Sequence, residues 1–317
     1  MTRLLPALLL AAAAALPAFA NEPTVVAAII VLFGCFLAQC WNLAAGYAGQ
    51  FSLGHGIFLA IGAYTSSVLL TRYGVSPWLG MWLGAALAAL AGAVLSAVAF
   101  RYRLRGVFFA VVTLSALEVV RALFEEWEFI GGNAGLSMVL VDDPGNMMFM
   151  SRTPYYEIAL ALVALLAAGS WWLERSRFGQ FIMALREDED AAEASGVPTF
   201  RCKVAIIALS AACTAIAGTF YAQFLLFIEP DTIFSFNNTL SMMLGTIVGG
   251  AGTVAGPILG SLAFGILSAV LRTLPFADSR EWASLLGMVY ALVLMVVVLR
   301  LPNGLLSLRL RRPGSRR

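Results

Sequence analysis

Apolar runs about 20 residues long recur from one end of this chain to the other, separated only by short polar segments. Crossing the hydrocarbon core of a bilayer takes roughly 20 helical residues. In that core only helices and closed barrels satisfy their own backbone hydrogen bonds. Continuous apolar runs, rather than ten-residue stretches of alternating polarity, select the helical solution. Charged residues make up 12% of the chain, about half the share usual in soluble domains. The expected fold is therefore all-α: one polytopic transmembrane domain over residues 1–317.

Hydropathy places about ten transmembrane helices, near 4–20, 24–45, 54–71, 78–99, 106–123, 155–173, 203–222, 239–254, 257–274 and 282–300. Basic side chains gather on the cytoplasmic side of membrane proteins, which tests that count. With both termini cytoplasmic, fifteen of the twenty basic residues fall inside, including the 307–317 tail. Five (Arg72, Arg121, Arg152, Arg272 and Arg280) fall outside or at the adjoining helix ends. The first run, with Arg3 and an Ala18-Phe19-Ala20 cleavage-like site, also reads as a signal peptide; the topology favours keeping it as a span.

The longest outer segment, about 124–154, carries Glu125, Glu126, Glu128, Asp142 and Asp143 around "GGNAG". It is expected to form an acidic, turn-rich surface, either simply solvated or docking an external partner. Small residues at a spacing of four, Gly80/Gly84/Ala88/Gly92/Ser96 and Gly252/Gly256/Gly260, predict close helix contacts. The segments "GYAGQFSLGHGIFLAIG" (46–62) and "GGAGTVAGPILGSLAFG" (249–265) share Gly, Ala, Gly, Leu, Ala and Gly at equal offsets. Each leads from a turn into a helix, as the internal repeats of transporters do.

Much chemistry is excluded. His55 is the single histidine, and Cys35, Cys40, Cys202 and Cys213 have no metal-ligand spacing and no disulfide framework. No metal site, cofactor or nucleic-acid surface is expected. A Walker A loop requires Gly-Lys-Ser/Thr, and the sole lysine, Lys203, follows Cys202. Glu118 is the serious candidate for an acid at membrane depth, with Arg121 one turn on as its expected local partner. An ion-coupled carrier would need that acid; an enzyme would need a catalytic constellation that is not there.

The least apolar long stretch is "SRFGQFIMALREDEDAAEASGVPTFRCK" (176–203). Phe178, Phe181, Ile182, Ala184 and Leu185 supply an apolar face, and Asp190-Ala191-Ala192 followed by Gly196 fits E-A-A-x-x-x-G with Asp in first place. Small residues there suit a short helix in a partner's cleft, with a glycine to end it. A solvated linker fits the spacing too.

In this order, "GYAGQFSLGHGIFLAIGAY", "RGVFFAVVTLSALEVVR", "GGNAGL", "SRFGQFIMALREDEDAAEASGV", "LSAACTAIAGTFYA", "VGGAGTVAGPILG" and "LPNGLL" resemble the LivM-type permeases of branched-chain amino-acid ABC importers, from about residue 25 to 306. The resemblance implies an inner-membrane importer with a related second permease subunit, two cytoplasmic ATPase subunits that use the ATP, and a periplasmic substrate-binding protein. It also implies that 176–203 is the loop coupled to an ATPase through Arg186, Glu187, Asp190, Ala191, Ala192, Glu193 and Gly196. A later Ile-x-Leu-Pro found in the wider motif is missing. For the translocation path the polar candidates are Gln39, Asn42, Gln50, Ser52, His55, Thr113 and Asn133. Permeases for urea, amides, sugars or another small polar solute are the alternative.

Overall fold

A computed structural model describes residues 16–272 and Gly304. The spans expected at 282–300 and over most of 4–20, and the 307–317 tail, lie outside the described residues. After one helical turn at Leu16–Phe19, helix α1 (Glu22–Trp41) runs straight into a π-helix, Asn42–Tyr47. Then follow α2 (His55–Tyr73), α3 (Pro77–Arg101), α4 (Val107–Glu126), α5 (Thr153–Arg175), α6 (Arg177–Glu187), α7 (Glu189–Ala194), α8 (Thr199–Leu225), α9 (Phe236–Gly249) and α10 (Gly256–Arg272). Five of the described helices, the α1–π unit, α3, α4, α5 and α8, are long and apolar enough to cross a membrane. The chain is an α-helical membrane protein.

Local chemistry sets the boundaries. Ser76 caps α3 by accepting from the Trp78 N–H, with Pro77 at the first helical position, where the missing proline N–H loses no bond. The helix expected at 239–254 stops at Gly249, because Gly250 and Gly252 take φ of +126° and +78°. Only glycine adopts such angles without strain.

The chain shuttles between two ends of the bundle. At the near end lie the turns 48–54, 102–106 and 250–255 and the whole of 176–198. Arg105 there bonds Asp190, and Arg186 lies against Gly49 and Gly252. The far end holds 127–152 and 226–235, joined by a two-residue antiparallel ribbon, β1 (Leu136–Ser137) with β2 (Phe227–Ile228), in which Leu136 faces Ile228. That ribbon was not expected from an all-helical pattern. Far-end residues also meet where Ser76 Oγ donates to Gly145 O and Trp78 Nε1 to Pro144 O.

Helices α2, α3 and α8 form one slab. The α3 stripe Gly80, Gly84, Ala88, Gly92 and Ser96 is buried and faces the other two helices. A side chain on Gly84 would lie 3.1 Å from Gly62 Cα, and one on Gly92 2.8 Å from Ala211 Cβ. Gly62 sits on the Ala215 carbonyl and Gly218 on the Leu59 carbonyl, with no room for a methyl group at either. Thr219 Oγ1 adds a hydrogen bond to Gly62 O at 3.1 Å. In lipid, where apolar surface gains nothing by hiding from water, such backbone approach supplies the packing. The second expected stripe is only partly helical: Gly256 and Gly260 press on α9, while Gly252 lies in the turn before α10.

Candidate functional site

The six-residue π-helix bonds i to i+5, a rare form that frequently marks functional sites. Beyond it the chain doubles back, so that residues 48–54 return into the bundle. Gln50 N donates to Ala44 O at 3.0 Å, Trp41 Nε1 to Ser52 O at 2.9 Å, and Leu53 N to Thr113 Oγ1 at 3.0 Å. A side chain on Gly54 would lie 2.5 Å from the Thr113 carbonyl.

Six of the seven polar residues singled out in the sequence meet in this region, all buried: Gln39, Asn42, Gln50, Ser52, His55 and Thr113. Asn133 does not join them; it is exposed at the far end, in the 3-10 turn Gly132–Ala134. Most of the six hold backbone. Asn42 acts as a fork: its Nδ2 donates to Thr253 O at 3.0 Å and its Oδ1 accepts from Gly252 N at 2.8 Å. Gln50 Nε2 bonds Ala48 O and Ser52 Oγ accepts from Gly54 N. Ser210 Oγ donates its one hydrogen to Cys40 O at 2.7 Å, so the 2.9 Å contact with His55 Nε2 makes that nitrogen the donor. His55 Nδ1 and both polar atoms of Gln39 are left without a hydrogen-bond partner among the described residues. The cluster can exchange hydrogen bonds; in its one serine–histidine contact the imidazole donates to Ser210, so it does not act as a base toward that hydroxyl. Among the described residues there is no group of three or more His, Cys, Asp or Glu side chains fit for a metal.

The two sequence segments that resemble each other meet here. Gly49 and Gly252 stand at equivalent positions in them, and both take left-handed φ, +67° and +78°. The Arg186 side chain touches both: its Cγ would lie 3.5 Å from a Cβ on Gly49, and its guanidinium occupies the space a side chain on Gly252 would need. Gly46 packs on the Gly252 amide from the other side, and Gly304, within "LPNGLL", packs on Gly250. No hydropathy pattern announces this junction; the shared Gly-Ala-Gly offsets were its one signal.

Segment 176–198 forms two short capped helices. Ser176 Oγ accepts from Gly179 N at 3.0 Å to start α6, and Asp188 Oδ1 accepts from the amides of Asp190 and Ala191 to start α7. Gly196, at φ +86°, ends α7, its N–H returning to Glu193 O. Ile182 and Leu185 are buried and Phe178 half-buried, whereas Phe181 and Ala184, expected on the same face, are exposed. Residues 178, 182 and 185 share a stripe at helical spacing; 181 and 184 lie off it.

Of the seven residues expected to meet an ATPase, Arg186, Glu187, Asp190, Ala191, Glu193 and Gly196 are exposed, while Ala192 is buried against the bundle. The acidic run is tied to its own bundle. Arg105 reaches Asp190 at 2.8 Å and Glu189 at 3.3 Å. The hydrogen bond and charge of Arg105 hold the Asp190 carboxyl below its ordinary value of 3.8. Lys203 Nζ, buried in the first turns of α8, pairs with Glu189 at 2.5 Å and lies 4.4 Å from the centre of the Phe100 ring. Arg105, Glu189 and Lys203 were not singled out as site residues, since their meeting depends on the tertiary fold; the one lysine beside nineteen arginines was the available hint.

One sequence expectation is overturned. Arg121 does not pair with Glu118. Its Nε bonds Glu125, one turn on, at 2.7 Å, and its Nη2 bonds Asp231 in the turn that precedes α9. Both acceptors lie toward the far end of α4, where the guanidinium reaches water.

The family described as "Branched-chain amino acid transport system / permease component" matches residues 19–299. The high-affinity branched-chain amino acid transport system permease protein LivM of Escherichia coli (strain K12) is 30% identical over 324 residues, covering 95% of this chain and 74% of that protein. LivH of Salmonella typhimurium, a permease protein named for the same kind of system, is 22% identical over 86% of this chain and 90% of its own. The fructose import permease protein FrcC of Rhizobium meliloti is 26% identical over 73% of this chain and 67% of its own. No solved structure matches the chain significantly. With its apolar helices and near-end loop matched along almost its whole length, this chain belongs to the permease-component family of branched-chain amino acid transport systems.

Proposed function

We propose that the chain is a transmembrane permease subunit of an ABC importer, carrying branched-chain amino acids from periplasm to cytoplasm across a bacterial inner membrane. The observation that carries this reading is the similarity to LivM along 95% of the chain. The similarity to LivH supports a related second permease as partner. ATP is bound and hydrolysed by two separate ATPase subunits, and a periplasmic binding protein delivers the substrate to the far end. In this reading the near end is cytoplasmic, ten spans bring both termini to that side, and 176–203 is the loop that an ATPase moves. Alternating access then follows if the inward- and outward-facing states differ in their contacts at that loop, because a ligand shifts an equilibrium only by its differential affinity.

The test is leucine uptake into proteoliposomes containing this chain, the second permease, both ATPases and the binding protein. Uptake that needs every component and ATP supports the reading. Uptake by this chain alone under an ion gradient refutes it. The similarity to FrcC makes fructose the competing substrate to run in parallel.

A further inference from the structure

Glu118 stands near the middle of the 20-residue helix α4, about 12 Å from its far end at 1.5 Å per residue. Its side chain is exposed on the surface of the bundle. Arg121 bonds Glu125 and Asp231 and meets Glu118 only through longer-range charge, and among the described residues no hydrogen bond or ion pair reaches the Glu118 carboxylate. It is the one carboxylate lying more than two turns inside a described membrane-spanning helix. Helix α4 is also the most open of these helices, with 22% of its apolar stretch buried against 56% for α8.

The exposed arc of α4 divides in two. Ser115, Glu118 and Ala122 recur at helical spacing and form a narrow stripe of small and polar residues, with the apolar Val111 at its near end. Phe108, Val112, Val119 and Leu123 form an apolar stripe beside it. Hydrocarbon suits the second stripe and not the first: ionisable groups within membranes face protein or a water-filled cavity. A partner that covers the apolar stripe and leaves water over the polar one satisfies both.

We propose that this partner is the second permease, that the Ser115–Glu118 stripe lines the passage between the two subunits, and that the Glu118 carboxylate receives the ammonium group of the amino acid. The inference rests on the permease reading above. It differs from the role open to Glu118 in an ion-coupled carrier, because the carboxylate meets the substrate's positive charge and no proton gradient is spent. Arg121, Glu125 and Asp231 then stand at the outer mouth of the passage.

The experiment uses the assembled importer. Glu118→Cys and Ser115→Cys are made singly and treated with a charged, membrane-impermeant maleimide; Leu90→Cys, exposed on α3, is the lipid-facing control. The native chain sets the background, three of its four cysteines being buried. Both α4 variants are expected to react at least tenfold faster than the control, with leucine slowing the reaction at position 115, where Glu118 is retained. Glu118→Gln is expected to cut leucine uptake more than tenfold. Ser115→Cys reacting no faster than the control, in an importer that still takes up leucine, overturns the passage while leaving the permease reading intact. Reaction that fructose slows and leucine does not keeps the passage and overturns the substrate. Wild-type leucine uptake by Glu118→Gln overturns the ammonium contact.

Discussion

Changing Glu189 to Gln strips the Lys203 ammonium of its carboxylate while leaving it in place, 4% exposed at the side chain. Breaking a buried pair from one side typically costs ~3–5 kcal/mol, because the remaining charge stays buried and uncompensated. The Phe100 ring, 4.4 Å away, offsets about 1 kcal/mol of this, leaving roughly 2–4. Lys203→Met removes the charge itself and keeps an apolar stem of similar length. Glu189, 17% exposed, then retains Arg105 at 3.3 Å, so the expected cost is about 1 kcal/mol or less. A gap of ~2–3 kcal/mol corresponds to roughly 30- to 150-fold more frequent opening of 188–203 in Glu189→Gln than in Lys203→Met. Hydrogen exchange of those amides in nanodiscs measures it directly. The double variant is expected to resemble Lys203→Met, since nothing buried is then left unpaired. If Glu189→Gln opens no more than Lys203→Met, or if the two costs add in the double variant, the buried-charge argument is refuted.

Gly252→Ala puts a methyl group where the Arg186 guanidinium lies, at a left-handed φ; we expect ~1–3 kcal/mol of destabilisation from the backbone alone, read as a fall in thermal midpoint, and an unchanged midpoint contradicts the packing. Arg105 keeps Asp190 below its ordinary value, so this link's contribution is present at neutral pH and fades only as pH falls below 3.8 through the lowered value. The link is also exposed, so 0.5 M salt should loosen it by screening while leaving Lys203–Glu189 intact; equal loss of both by cysteine-pair trapping or exchange argues against the assignment. Gly218→Ala pushes α8 away from the Leu59 carbonyl and should cost about 1–3 kcal/mol as overpacking does, measured against Gly169→Ala, where nothing lies within 4 Å; equal effects refute it.

Hydropathy alone located eight of the described helices, because a 20-residue apolar run has few alternatives in lipid. It placed 54–71 where His55–Tyr73 lies and 155–173 where Thr153–Arg175 lies. What it missed depends on contacts between distant residues. The π-helix at Asn42–Tyr47 leaves no periodic trace, since every residue in that stretch is buried or nearly so. The return of 48–54 is held by Trp41 and Thr113, residues with no sequence mark of that role. The Glu118–Arg121 spacing suggested a pair by local geometry, but Asp231 approaches from 110 residues away and competes successfully. The polar candidates were legible as a set because polar residues within apolar runs need a reason to be there; which of them hold backbone and which stay unsatisfied was not.

The slab of α2, α3 and α8 has a mechanical consequence. Its members meet backbone to backbone at Gly62, Gly84 and Gly218, with no room for a side chain at those points. Sliding one past another by even a fraction of a turn would drive a carbonyl into the neighbouring main chain, so the three travel as a single stiff plate. Any change of shape during transport is then taken up where chain leaves the plate, at 48–54, 102–106, 195–198 and 226–235. Two of these four joints touch the segment that carries Arg186, Glu189 and Asp190, and a third continues it, so a push on that segment would turn the plate at its edge without deforming its middle.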